Sequence, residues 1–189
     1  MLIGFKKMTI SLLDENLQKV VGKQWIIKGD INKGATSTAN ITGLSKAPAS
    51  TYGSDKIYFV DAKGHGDINV DFGILDLPSE AEHAILGRDS SGEGIHFIGE
   101  ETEPPYCAVL LESTDLNGET IGIGFFAGKF SKDAINLETR KKDATELVPD
   151  TFNYKPISKT INDKNQVLGI AEDILQLNAL KGLCSIVSE

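Results

Sequence analysis

The residues that could do chemistry are few and scattered. The three histidines, His65, His83 and His96, sit in unrelated contexts. None forms an i, i+4 ligand pair, and none has a cysteine at zinc-finger spacing. His65, held between two glycines, reads as a turn residue. Cys107 falls inside an apolar run, where an inert thiol is expected rather than a nucleophile. With Cys184 it makes two cysteines in all, too few for a disulfide framework, so a reducing compartment is expected. No Gly-x-Ser-x-Gly elbow is present, although a Ser–His–Asp or Cys–His set that meets only in space stays open. Gly122-Ile123-Gly124 has dinucleotide-loop spacing but runs on into Phe125-Phe126-Ala127, more strand than helix start. Glycines inside a strand point instead to a close backbone approach or a bend. Glu100 and Glu101 are paired in a charged loop and read as a solvated face. The longest basic run, Arg140-Lys141-Lys142, is diluted by Glu138 and Asp143, so the basic stripe of a nucleic-acid reader is missing. The expectation is a protein with no catalytic residues, no cofactor and no metal.

The elements around these residues are mostly strands. Ile57-Tyr58-Phe59-Val60 is a β-branched and aromatic run closed by Lys63-Gly64-His65-Gly66. Asp67 to Phe72 alternates polar and apolar, with Ile68, Val70 and Phe72 on the core side. The short Gly-rich link between these two runs predicts that they form a hairpin. Tyr106–Leu111 and Thr120–Phe130 form a second hairpin, signalled by Asn117-Gly118, both of which tolerate positive φ. Weaker strands are expected at Lys7–Leu13, Trp25–Ile27, Ala39–Leu44, Thr151–Tyr154 and Val167–Ala171. A short helix over about 79–87 is marked by Pro78, a reciprocal Ser79/Glu82 cap, and Gly87 as its left-handed stop. Glu172–Leu183 predicts a C-terminal helix, with Ile174, Leu177 and Leu180 at helical spacing. Two stretches read as irregular: Ser45–Asp55, long enough to bind something or to move, and the Gly- and acid-rich residues 88–105.

The chain of 189 residues, 40% hydrophobic and 24% charged, suits one ordinary globular domain. No apolar run approaches the ~20 residues of a membrane span. A secretory signal is not expected, because Asp14 and Glu15 close the apolar run Met8–Leu13 too early. The net charge of −8 disfavours non-specific adhesion to nucleic acid. Its distribution is uneven: residues 1–60 hold eight Lys against four acids, and residues 61–105 hold two basic residues against eleven acids. Such asymmetry suits either head-to-tail self-association or plain solvated loops.

The segments KGATSTANITGLS (33–45), TYGSDKIYFVDAKGHGDINVDFGILDLP (51–78), ILGR (85–88), GEETEPPYCAVLLES (99–113) and GFFAGKFSKDAINLET (124–139) occur in this order. Over residues 5–157 the chain resembles the major tail (tail-tube) protein family of long-tailed phages and prophages of Gram-positive bacteria. The resemblance implies a mainly β, tail-tube-type β-sandwich or barrel with the short flanking helix and the C-terminal helix. It divides the chain into a tail-tube domain, 1–157, and a C-terminal extension, 158–189, packed on or next to that domain. The implied function is structural: hexameric rings stacked into a hollow tube, through which double-stranded DNA passes without sequence-specific binding. The implied partners are copies of the chain itself and other tail proteins, with no membrane, in the virion tail and in the host bacterial cytoplasm during assembly. Alternatives are the tube subunit of a phage-tail-like bacteriocin or a β-sandwich adhesion module of the virion. Within the tube reading, Asp67, Asn69 and Asp71 are candidate lumen-facing residues, or else coat the exterior. Ala47, Pro48, Ser50 and Tyr52, in the Ser45–Asp55 loop, are candidates for contact with the next ring. The C-terminal segment docks in place, caps an edge or faces outward.

Overall fold

The computed structural model describes residues 2–137, 139 and 147–187, so the Arg140-Lys141-Lys142 run with Glu138 and Asp143 lies outside the described residues. In chain order the elements are β1 (Ile3–Leu13), β2 (Lys19–Ile27), β3 (Ala35–Thr42), β4 (Ala49–Gly53), β5 (Lys56–Asp61), β6 (Asn69–Leu75) and α1 (Ser79–Ile85). Then come β7 (Asp89–Ser90), β8 (His96–Phe97), β9 (Tyr106–Thr114), β10 (Thr120–Ser131), β11 (Asp150–Pro156), β12 (Lys159–Ile161), β13 (Lys164–Gln166), β14 (Leu168–Ala171) and α2 (Ile174–Leu183). The mainly β architecture and both helices agree with the sequence reading.

The main sheet runs β2-β1-β9-β10-β11-β6-β3, with β14 on β10, and all its pairings are antiparallel. β10 is long enough to serve two neighbours on one edge: residues 122–125 pair with β14 and residues 128–131 with β11. The sheet thereby folds over on itself, and apolar residues of alternating register meet inside. Met8, Ile10, Val70, Phe72, Val109, Phe125, Phe130 and Phe152 are buried there, each stabilising by roughly 1.5–3 kcal/mol. Tyr154 is buried among the aromatic rings and donates its hydroxyl to Cys107 O at 2.8 Å, tying β11 to β9.

Local sequence explains the turns. The backbone N–H groups of Asp14, Ser91 and Asp115 donate to the carbonyls of Gln18, Ile95 and Glu119, four residues on. In each turn the first side chain also accepts from the N–H groups two and four residues later, the Asx or Ser turn that lets a short polar residue replace ladder bonds. The fourth residue is left-handed: Leu17, Gly94 and Gly118. The β9–β10 hairpin thus forms where Asn117-Gly118 predicts it, but only Gly118 takes a positive φ.

Two expectations give way. The run Ile57–Val60 does not pair with the strand after it. β5 pairs with β4, because Ser54 and Asp55 both adopt positive φ (52° and 61°), the two-residue turn whose twist suits a hairpin. β6 pairs with β3 and β11 instead. The predicted helix exists with Gly87 left-handed at its stop, but Ser79 is its first residue, Pro78 is the N-cap, and no side-chain cap forms. Glu82 accepts from Arg88 (3.1 Å) and Lys132 (3.2 Å); two charge-assisted bonds outcompete one backbone N–H.

Candidate assembly surfaces

The outer edges of β2 and β3 carry no strand partner among the described residues. Between β3 and β1 a side-chain bond crosses the seam, from Thr36 Oγ1 to Phe5 O at 2.7 Å. Unpaired N–H and C=O rows of this kind are templates for another chain.

A second surface is the arm formed by β4 and β5. Among the described residues its strands pair only with each other, and Tyr52, Ile57, Tyr58, Phe59 and Val60 are all between 49% and 81% exposed. An isolated two-stranded hairpin is marginally stable in water, and five large apolar side chains on it form a patch that needs a cover. Of the predicted contact residues, Ala47 and Pro48 lie in the lead-in to the arm, while Ser50 and Tyr52 lie within β4. The stretch 45–55 is therefore half strand rather than a loop throughout. Sequence reasoning paired Ile57–Val60 with Asp67–Phe72 and missed the arm. Gly53-Ser54-Asp55-Lys56 between two β-rich runs was the signal that could have found it.

The third surface is the outward face of β3, β6 and β11. Cross-strand registers align Asn40, Asp71, Asn153 and Ser131 in one row, Thr42 with Asn69 in the next, and Thr38, Gly73 and Thr151 in a third. Asn69 donates to Asp71 Oδ1 at 3.1 Å and Asn153 to Asp133 Oδ2 at 3.0 Å. Asp67 precedes β6 and forms an ion pair with Lys155 of β11. Ile68, Val70 and Phe72 are buried as the alternation predicts. The result is a band of short hydroxyl and amide side chains with one ion pair and two carboxylates, Asp71 and Asp133, held by amides.

On the opposite side of β10, α2 lies against a platform stripped of side chains. A Cβ on Gly122 would stand 2.4 Å from Leu177 Cδ1, one on Gly124 2.6 Å from Cys184 Sγ, and one on Gly169 2.9 Å from Leu180 Cδ1. The Gly-Ile-Gly spacing that imitates a dinucleotide loop is thus the close-approach site for a helix. Asp173 caps α2 by accepting from Gln176 N, and Gln24 exchanges two hydrogen bonds with the Val187 backbone beyond it.

The groups that could do chemistry are held inert. Burial pushes the Cys107 and Cys184 thiols up to about 12, far from the thiolate range. His83 stacks on His96, ring centres 3.6 Å apart, which ties the β7–β8 hairpin to α1. Among the described residues no group of three or more His, Cys, Asp or Glu is placed to hold a metal ion.

A family model described as phage tail tube protein matches residues 1–173. The chain belongs to that family. No curated protein matches it. It is therefore a structural subunit of a phage tail, not an enzyme, and it works by self-assembly alongside other tail proteins. The family match ends at Asp173, the N-cap of α2, so this helix and its contacts on the glycine platform lie beyond the matched region. Among the described residues, no helix is long and apolar enough to cross a membrane.

Proposed function

We propose that this tail tube subunit closes into hexameric rings in the host cytoplasm, that the rings stack into a hollow tube, and that double-stranded DNA passes along the bore without sequence-specific contact. The observation that carries this reading is the arm: five large apolar side chains exposed on a hairpin whose strands, among the described residues, pair only with each other. Burying it against a neighbouring ring removes that surface from water at about 25 cal/mol per Å². The open edges of β2 and β3 support lateral closure, since edge pairing satisfies backbone groups that solvent otherwise must. The band around Asn69 and Asp71 suits a bore, because among the described residues it offers DNA phosphates no free cation; Lys155 is already paired with Asp67. Ala47, Pro48, Ser50 and Tyr52 act in this scheme as part of the arm.

The arm is its own small sheet, so residues 47–60 can be excised with Lys46 joined to Asp61, two residues already linked by a 3.2 Å ion pair. The excised chain keeps its melting temperature within a few degrees and forms no stacked rings by electron microscopy. Tubes of ordinary length from that variant would remove the arm from the assembly.

A further inference from the structure

We propose that the arm docks through one residue: Tyr58 of one copy fills the apolar notch between β1, β3, β9 and β10 of the next, an inference that rests on the stacked-tube reading above. The arm itself singles out Tyr58. Thr51 pairs with Phe59 and Tyr52 with Ile57, which leaves Tyr58 as the extra residue of a bulge. Bulges re-aim side chains away from the ladder, and Tyr58 is the most exposed of the arm's large apolar residues, at 81%.

The notch lies where β3 and the start of β1 part. Phe5, Ile41, Leu111 and Ile123 line it with Ser37 and Ser113, and its volume is about 190 Å³. Small-molecule pockets run to roughly 300–1,000 Å³, so this one is sized for a side chain rather than a cofactor. Its walls are apolar with a few hydroxyls, the chemistry of a phenol: ring inside, O–H on a polar partner. Ser113 Oγ donates to Gly4 O at 2.6 Å, which leaves its lone pairs free to accept from a tyrosine hydroxyl. That feature favours Tyr58 over the neighbouring Phe59.

The occupant is a second copy of this chain. Tyr58 is exposed, so it does not fill the notch of its own chain. Knob and notch are different patches on one subunit of a self-assembling family. A contact of that kind is heterologous, and where its rotation does not close a ring it repeats from copy to copy, as a stack requires. A single aromatic anchor in a desolvated pocket is also the usual seat of interface energy.

The test uses the full chain carrying Lys56→Cys, an exposed arm position two residues from the anchor, together with Ser37→Cys, with the native Cys107 and Cys184 silent because both are fully buried. Assembled material is treated with a short bifunctional thiol crosslinker. The expected result is a ladder of covalent oligomers that neither single variant gives. Tubes visible by microscopy without a ladder would overturn the docking site and leave the tube reading standing. A wild-type chain that forms neither rings nor tubes would overturn both. As a second measurement, Tyr58→Ser should raise the critical concentration for stacking on the order of 30-fold or more with an unchanged circular dichroism melt. Tyr58→Phe should restore most of it, and unchanged stacking by Tyr58→Ser would sink the proposal.

Discussion

His83 is set apart from the other histidines by its neighbours. Its ring is half-buried against His96, Arg88 lies 3.5 Å from its Nδ1, and Glu82 and Lys132 complete the charges around it. Burial first, then the positive fields of His96, Arg88 and Lys132, hold it below its ordinary value of 6.5, with Glu82 opposing. The sign of the linkage follows. The unfolded chain takes up the proton near 6.5 while the folded one stays neutral to lower pH. The stack's contribution is therefore complete above pH 6.5 and drains away as pH falls below it. Nuclear magnetic resonance should find His83 titrating below 6.5, with amide protection relative to intrinsic exchange in β7 and β8 falling on acidification and α1 slower to respond. A His83 that titrates above 6.5, or a hairpin equally protected at pH 5 and pH 8, would contradict this account. None of this could be read from the sequence, where His83 and His96 lie thirteen positions apart and only the fold stacks them.

Elements were legible where one side chain pattern had one outcome. The alternation at Ile68, Val70 and Phe72 marked a strand with one buried face, and the continuous apolar run Tyr106–Leu111 marked one buried on both. The partner of a strand is less local. Ile57–Val60 looks like core by composition, yet Ser54 and Asp55 turn it back on β4 and leave its apolar side chains in solvent. Gly122 and Gly124 carried a correct local message, close approach, without naming what approaches. The structure supplies α2, and its fit is tight enough to test. Gly124→Ala places a Cβ at 2.6 Å from Cys184 Sγ and 3.0 Å from Leu180; such overpacking costs about 1–3 kcal/mol. The expected readout is a lowered denaturation midpoint with α2 and the Ser185–Val187 segment exchanging faster, while the β9–β10 turn keeps its protection. A variant as stable as the parent would mean that α2 does not hold this position.

At the scale of the whole molecule, the chain is acidic overall, −8, and the band on β3, β6 and β11 follows that sign: Asp67 is paired with Lys155, while Asp71 and Asp133 keep their charge and accept from the amides of Asn69 and Asn153. If that band is the bore, a sliding polyanion meets hydroxyls, amides and fixed carboxylates but, among the described residues, no free cation, and each phosphate contact that never forms is one less counterion exchange to reverse. Removing the carboxylates changes this in a definite direction. Asp67→Asn frees the Lys155 ammonium, and Asp71→Asn removes the remaining negative charge beside it. The field on passing phosphates becomes attractive over about 8 Å, the screening length at physiological salt. The double variant should form tubes of normal width and length, because neither side chain contributes to the buried core, while DNA ejection slows. The slowing should weaken as salt is raised, which a merely structural defect would not do. Single-particle ejection rates at two ionic strengths decide it: a rate equal to wild type at low salt would place Asp67 and Asp71 on the outside of the tube.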